Sequence, residues 1–164
     1  MLVSNTELNQ KLQAVKSHAI DKGLEFGSAF ILLYYYGLRI SEVVYFSDII
    51  LKLNEQEVTI ITPKTNRVRT LLIAPETQQA ITVTSQMNVF TRTLSIEIIQ
   101  HFITRTIQGT WHYVGDKNIN THLFRHNYAK MMYQVEQSTR TVADAMAISQ
   151  NVATRYIFSQ IHQR

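Results

Sequence analysis

The chain has 164 residues, and its 16 Lys and Arg against 12 Asp and Glu give a formal net charge of +4. This length fits one domain with a substantial core, and the basic balance favours a polyanionic partner. The absence of cysteine excludes disulfides, zinc–thiolate sites and cysteine nucleophiles. The longest apolar run, residues 29–38, is about half of a membrane span. With a polar N-terminus that does not resemble a signal peptide, we expect a cytoplasmic protein.

The first third of the chain predicts helices. Apolar residues recur at helical spacing through residues 4–21. Residues 25–36 are apolar nearly all round, which is typical of a buried helix, and Gly37 would end it. A short helix is expected again in the stretch RISEVVYFS, which follows directly.

The hydrophobic period then changes to that of strands. Residues 57–62 (EVTIIT) and 67–74 (RVRTLLIA) are rich in β-branched side chains, and the turn-forming stretch PKTNR separates them. This pattern predicts an antiparallel hairpin, with a third short strand near residues 49–53.

The second half predicts helices over residues 75–87, 95–109, 121–136, 139–149 and 151–162, with a loop at 110–120. We found no internal repeat and no domain linker. The predicted fold class is mainly α with a small antiparallel β-sheet (α+β), in a single domain of residues 1–164.

One charge interrupts the apolar sequence after Gly37. Arg39 lies between Leu38 and Ile40, and Glu42 follows one helical turn later. A charge beside a core is costly unless it is paired or reaches water. Arg39 is therefore either paired with Glu42 or held in place for an anionic ligand.

A second candidate site is the stretch THLFRHNYA. His122 and Arg125 are three residues apart and share one face of the predicted helix. Taken alone, they are more simply a surface His–Arg pair. His126 completes an HxxxH pair with His122, but no acidic third ligand is near, so we predict no metal.

Two further residues are weak signals individually. Lys64 lies in the predicted hairpin turn, and Tyr156 lies near the end of the chain. Together with two arginines and a histidine, however, they suit phosphodiester chemistry. Cationic side chains stabilise charge on the phosphate oxygens, a tyrosine hydroxyl is a covalent nucleophile, and no cofactor is required.

Four motifs in this order resemble those of the tyrosine recombinases, or phage integrases. They are YYYGLRISEVVYFSDI, TPKTNRVRTLLI, NTHLFRHNYAKMM and AISQNVATRYIF. The resemblance extends from about residue 5 to residue 160, and it implies the catalytic-domain fold of that family.

The resemblance also implies roles for individual residues. Arg39 and Arg125 would clamp the scissile phosphate, and Tyr156 would attack it to leave a 3′-phosphotyrosine. Lys64 would protonate the leaving 5′-oxygen, while His122 would bind the phosphate and help to move the proton of the nucleophile. Supporting roles fall to Glu42 and His126, and contacts with DNA to Arg67, Arg69, Lys130 and Arg155.

The sequence departs from the family pattern at one position. Nine residues before the tyrosine the family usually has His or Trp, and here Ala147 stands there. A different register would make Phe158 the nucleophile position and place Ser149 at the histidine position; we prefer Tyr156. In either register a phosphate contact is missing, so we expect reduced activity.

The resemblance implies double-stranded DNA as the partner and a nucleoid-associated protein. We expect a monomer in solution, a tetramer on paired DNA sites, residues after Tyr156 docked on a neighbour, and no N-terminal core-binding domain. The alternatives are a type IB topoisomerase-like enzyme, a DNA-binding or regulatory module that has lost catalysis, and a purely structural helical protein.

Overall fold

The computed structural model describes residues 2–87, 94–107, 111–113 and 122–163. The helices within these ranges are α1 (Asn5–Ile20), α2 (Leu24–Tyr36), α3 (Ile40–Val44), α4 (Phe46–Ile49), α5 (Gln78–Gln86), α6 (Ile96–Thr106), α7 (Leu123–Glu136), α8 (Thr139–Met146) and α9 (Gln150–Phe158). The strands are β1 (Leu2–Val3), β2 (Ile50–Leu53), β3 (Glu57–Thr62), β4 (Arg67–Leu72), β5 (Trp111–Tyr113) and β6 (Ile161–Gln163). The predicted fold, mainly helical with a small antiparallel sheet near residue 60, is confirmed.

Helix α2 is the centre of the fold. Its side chains are apolar nearly all round, and Phe30, Leu32 and Leu33 are almost completely buried. It packs against α1, α5 and α7. Helix α1 is fixed at its start by a capping box, in which the Ser4 hydroxyl accepts from the backbone of Glu7 and the Glu7 carboxylate accepts from the backbone of Ser4.

The predicted hairpin is present with its turn at residues 63–66. Strand β3 pairs with β4 from Glu57↔Leu72 to Thr62↔Arg67, and β2 pairs with the other edge of β3. Alternation along the strands places Val58 and Ile60 on the core face. The turn therefore projects from the end of a sheet that is anchored in the core.

A second antiparallel sheet, in the order β1-β6-β5, corrects the sequence prediction. The loop expected at residues 110–120 contains strand β5, and the helix expected to run to residue 162 ends at Phe158. Residues 161–163 pair here with strands of the same chain, and the docking of the segment after Tyr156 on a neighbour stays a prediction. Strands of two or three residues carry no detectable period, because their pairing depends on distant segments.

Among the helices of the described ranges, none combines the length and the hydrophobicity that a membrane span requires.

Gly37 allows α2 to end against α7. It adopts the left-handed conformation with φ 60° and donates its backbone N–H to the carbonyl of Leu33. A Cβ at this position would lie 2.6 Å from the Cβ of Tyr128 in α7. Both the backbone conformation and the contact therefore require glycine.

We predict that Gly37→Ala lowers the free energy of unfolding by at least about 2 kcal/mol, because left-handed strain and steric overlap add. Urea unfolding measures the change. The control is Gln137→Gly at the exposed left-handed end of α7 (φ 52°). Glycine removes the backbone strain there, so the free energy of unfolding should rise by about 1 kcal/mol, which measures the backbone contribution alone. Equal magnitudes for the two variants would contradict the overlap with Tyr128.

Candidate active site

The site is built around the buried carboxylate of Glu42. Glu42 lies in the first turn of α3, where Oε1 accepts from the backbone N–H of Arg39 at 2.7 Å. Its two oxygens also lie 3.6 Å from Nη1 of Arg39 and 3.8 Å from Nη1 of Arg125. The Glu42 side chain is only 1% exposed. The pairing of Arg39 with Glu42 was expected, whereas the contact of Glu42 with Arg125 was not.

Arg125 is almost completely buried within α7 and reaches the end of α2. Its Nη1 donates to the carbonyl of Gly37 at 2.8 Å, and its Nε donates to the Tyr156 hydroxyl at 3.3 Å. The guanidinium carbon lies 5.2 Å from the centre of the Tyr156 ring, within cation–π range. Among the described residues its buried Nη2 has no hydrogen-bond partner.

Arg39 contributes a second guanidinium with unused donors. Its Nε and Nη1 lack a hydrogen-bond partner within the described part of the chain. Burial, and then the charge of Arg125, lower the pKa of Arg39 from its usual value. Two guanidinium groups share one carboxylate here, so one positive charge and several N–H donors remain for an anion.

Helix α9 brings Tyr156 to this pair of arginines. Besides meeting Arg125, the Tyr156 hydroxyl lies 3.3 Å from Nδ1 of His122, the residue directly before α7. The aromatic side chain that meets Arg125 and His122 is therefore that of Tyr156 and not that of Phe158. The Phe158 ring packs against Tyr133 and is 56% exposed.

A cleft of about 950 Å³ opens over these groups. Its lining includes Arg39, Lys64, His122 and Tyr156. With Arg125 at the Tyr156 hydroxyl, the structure brings together all five candidate catalytic residues, which are spread over more than a hundred positions of sequence.

The hairpin turn lies against the connection between α8 and α9. Thr65, next to Lys64, directs its hydroxyl to the carbonyl of Ala147 at 3.5 Å. Ala147 ends α8 in the left-handed conformation, with φ 55°. Its methyl group offers no donor, and the Ser149 hydroxyl caps α9 by accepting from the backbone of Val152.

Two of the four expected DNA contacts lie in the interior instead. Arg69 is 3% exposed, donates to the carbonyl of Tyr36 and lies over the Tyr128 ring. It shares the buried face of β4 with Leu71, because strand residues alternate. Lys130 is 4% exposed, and its ammonium binds backbone carbonyls near the end of α9.

Arg67 and Arg155 are exposed and line the cleft. Their contact with DNA stays a prediction.

His126, expected in a supporting role, packs between α7 and α9. Its Nδ1 lies 2.6 Å from the Ser159 hydroxyl, and its ring meets that of Tyr156 edge to face at 4.8 Å. Burial, and then the charge of Lys130, lower the pKa of His126 to about 3. In the described ranges, no group of three or more His, Asp or Glu is arranged to hold a metal ion.

Sequence reasoning missed the contacts of His126 and Lys130 with α9. The available signal was the spacing of His122, His126 and Lys130, which repeats every four residues and defines one helix face. The partner helix carries no matching motif, so the pairing could be found only in three dimensions.

Residues 3–160 match the family model described as the phage integrase family. The chain belongs to this family. The match confirms the resemblance drawn from the four sequence motifs. No curated protein matches this family member by sequence.

The fold of this phage integrase family member is similar to that of several solved recombinases. A crystal structure of XerA recombinase superposes with a TM-score of 0.63 at 12% identity, covering 91% of this chain and 58% of that one. XerH site-specific recombinase bound to difH substrate, in a pre-cleavage complex, gives 0.60 at 16% identity, covering 94% and 49%. Its post-cleavage complex on a palindromic difH substrate gives 0.59. The chain thus spans about half the length of these recombinases.

We predict that His126 makes stability depend on pH below neutrality. Its pKa in the folded protein, about 3, lies below the ordinary value of 6.5, so the unfolded state takes up the proton first. Its contribution is complete above pH 6.5 and is lost as the pH falls toward 3, with a limiting slope of about 1.4 kcal/mol per pH unit. Urea unfolding of the wild type and His126→Gln across pH 4–7 measures this slope. Parallel curves for the two proteins would contradict the prediction.

Proposed function

We propose that this protein cleaves and rejoins DNA strands as a site-specific recombinase, through a covalent 3′-phosphotyrosine formed by Tyr156. The observation that carries the proposal is the placement of the Tyr156 hydroxyl, 3.3 Å from both Nε of Arg125 and Nδ1 of His122. Arg39 and Lys64 line the same cleft. A tyrosine, a histidine and two cationic side chains thus line one cleft, with Arg125 at the tyrosine hydroxyl, and this arrangement supports the proposal.

In the proposed reaction, the Tyr156 oxygen attacks the scissile phosphorus and a new P–O bond forms. The proton of its hydroxyl passes to Nδ1 of His122. The bond from phosphorus to the 5′-oxygen breaks, and Lys64 supplies the proton that the leaving oxygen takes up. Rejoining is the reverse, with a 5′-hydroxyl attacking the phosphotyrosine, so the energy of the phosphodiester is kept and ATP is not needed.

The two arginines are proposed to bind the non-bridging phosphate oxygens. Buried N–H donors of Arg39 and Arg125 that lack partners among the described residues support this role. Glu42 holds both guanidinium groups in fixed positions before DNA arrives, and preorganised donors of this kind stabilise charge that develops in the transition state.

Double-stranded DNA is the proposed substrate. The exposed Arg67 and Arg155 at the cleft would contact phosphates, and binding would weaken steeply with salt. A single catalytic domain that is monomeric in solution and tetrameric on paired sites stays a prediction of the family resemblance.

Ala147 favours a second candidate function, a DNA-binding module of the same fold with weak or absent catalysis. The resemblance leads us to expect a His or Trp donor at this position, and alanine has none. Thr65 and Ser149 carry hydroxyl groups nearby, but in the described contacts the Thr65 hydroxyl is directed to the carbonyl of Ala147 and the Ser149 hydroxyl accepts from the backbone of Val152. Such a module would bind DNA with a comparable salt dependence and form no covalent adduct.

We predict a covalent adduct on nicked suicide duplexes whose sequence is randomised around the nick. Adducts that survive denaturant are captured, sequenced, and mapped by mass spectrometry to the modified tyrosine. Tyr156→Phe should abolish the adduct because the nucleophile is lost, whereas Phe158→Tyr should leave it on Tyr156. An adduct on another tyrosine would overturn the assignment, and salt-dependent binding without any adduct would favour the DNA-binding module.

We also predict that Ala147→His raises the single-turnover cleavage rate at least about tenfold. A phosphate donor of this kind contributes on the order of 10²–10³ in rate, and histidine tolerates the left-handed backbone at this position. The control is Ala147→Gln, which adds bulk and an amide of different reach. A rate unchanged in Ala147→His, with affinity for DNA intact, would show that the vacant position is not limiting.

A further inference from the structure

The end of α9 directly after Tyr156 lacks the usual helix termination. Its last residue is followed by Ser159 in an extended conformation, φ −61° and ψ 142°, rather than a left-handed glycine. The final carbonyls of a helix have no partner within the helix and must be satisfied elsewhere. Here side chains of α7 provide the partners.

Lys130 supplies two of these hydrogen bonds. Its ammonium donates to the carbonyl of Ile157 at 2.8 Å and to that of Ser159 at 2.5 Å. Lys130 is 4% exposed, and burial lowers the pKa of its ammonium to about 8, so it remains mostly protonated at pH 7. A buried cation is tolerated because it meets carbonyl oxygens at the negative end of the helix dipole.

Ser159 and His126 complete the set. The Ser159 hydroxyl donates to the carbonyl of Tyr156 at 3.0 Å and lies 2.6 Å from Nδ1 of His126. Since the hydroxyl hydrogen is directed at Tyr156, the imidazole is the donor of the shorter bond. The same imidazole packs edge to face on the Tyr156 ring.

Tyr156 is therefore held at both ends, by His122 directly before α7 and by His126 and Lys130 within α7. His122 meets its hydroxyl, His126 meets its ring and backbone through Ser159, and Lys130 binds the next carbonyl along the helix. Residues four apart on a helix lie about one turn apart on the same face, so His126 and Lys130 are spaced to contact the length of the last turn of α9. Of these three, the cleft lining in the described part of the chain includes His122 and His126 but not Lys130.

Resting on the proposed function, we infer that Lys130 is a positioning residue, which fixes the last turn of α9 through the carbonyls of Ile157 and Ser159 and so holds the Tyr156 hydroxyl at Arg125 and His122. This role replaces the contact with DNA expected from the sequence. A misplacement of the nucleophile by about 1 Å costs on the order of 10² in rate. Affinity for DNA does not depend on it, because the ammonium is in the interior.

The test compares Lys130→Met, which keeps the length of the side chain and removes the ammonium, with the wild type. We expect an unchanged Kd for the captured duplex and an unchanged salt dependence, together with a fall of about 10²-fold in the single-turnover cleavage rate at saturating DNA. Lys16→Met is the matched control. Lys16 is a partly buried lysine over the Tyr34 ring, and its replacement should leave the rate unchanged.

Lys130→Gln provides a second variant if Lys130→Met does not fold. Its amide is shorter and uncharged, so it cannot replace the ammonium at both carbonyls, and the rate should fall about tenfold without a change in Kd. A wild-type rate at saturating DNA in a folded Lys130→Met, or in Lys130→Gln should Lys130→Met not fold, would overturn the inference, as would an equal loss of affinity and rate.

Hydrogen exchange separates this inference from the proposed function. If the wild type forms no adduct, the proposed function fails. Hydrogen exchange still measures whether Lys130 stabilises the last turn of α9. Faster amide exchange over residues 155–163 in Lys130→Met, with α1 and α2 unchanged, would support the positioning role. Unchanged exchange over residues 155–163 would overturn it.

Discussion

The shared carboxylate of Glu42 is the constraint on which the site depends. Two guanidinium groups repel each other at short range, and their burial strengthens the repulsion because the interior screens charge poorly. Glu42 lies within 4 Å of both arginines and also binds the backbone at the start of α3. It thereby joins the beginning of α3 to the first turn of α7. The end of α2 completes the junction, because the Gly37 carbonyl accepts from Arg125.

Similarity of fold gives little support for the proposed function. At 12–16% identity the recombinase structures establish how the chain folds, and a fold can host unrelated activities. The proposed function depends instead on the arrangement of side chains in the cleft. A tyrosine hydroxyl between an arginine and a histidine, at a cleft lined by a turn lysine, has no evident use in stability alone.

Local patterns in the sequence predicted what local forces determine. The hairpin followed from β-branched runs around a turn, the buried α2 from its continuous apolar sequence, and the Arg39–Glu42 pair from a spacing of one helical turn. The strands β1, β5 and β6 could not be predicted, since each is too short to have a period. Arg69 and Lys130 were misplaced for a related reason. A cation in the sequence suggests the surface, and only the tertiary fold supplies the carbonyls that make burial tolerable.

The pairing of β1 with β6 places the two ends of the described chain side by side. Leu2 is opposite His162, and neighbouring strands lie about 4.8 Å apart. Strand β6 is joined to the last turn of α9 by only two residues. A tether attached ahead of β1 would therefore pull on the strand that closely follows the last turn of α9. Reporter groups or surfaces for immobilisation are better attached at the exposed edge strand β2, which belongs to the other sheet.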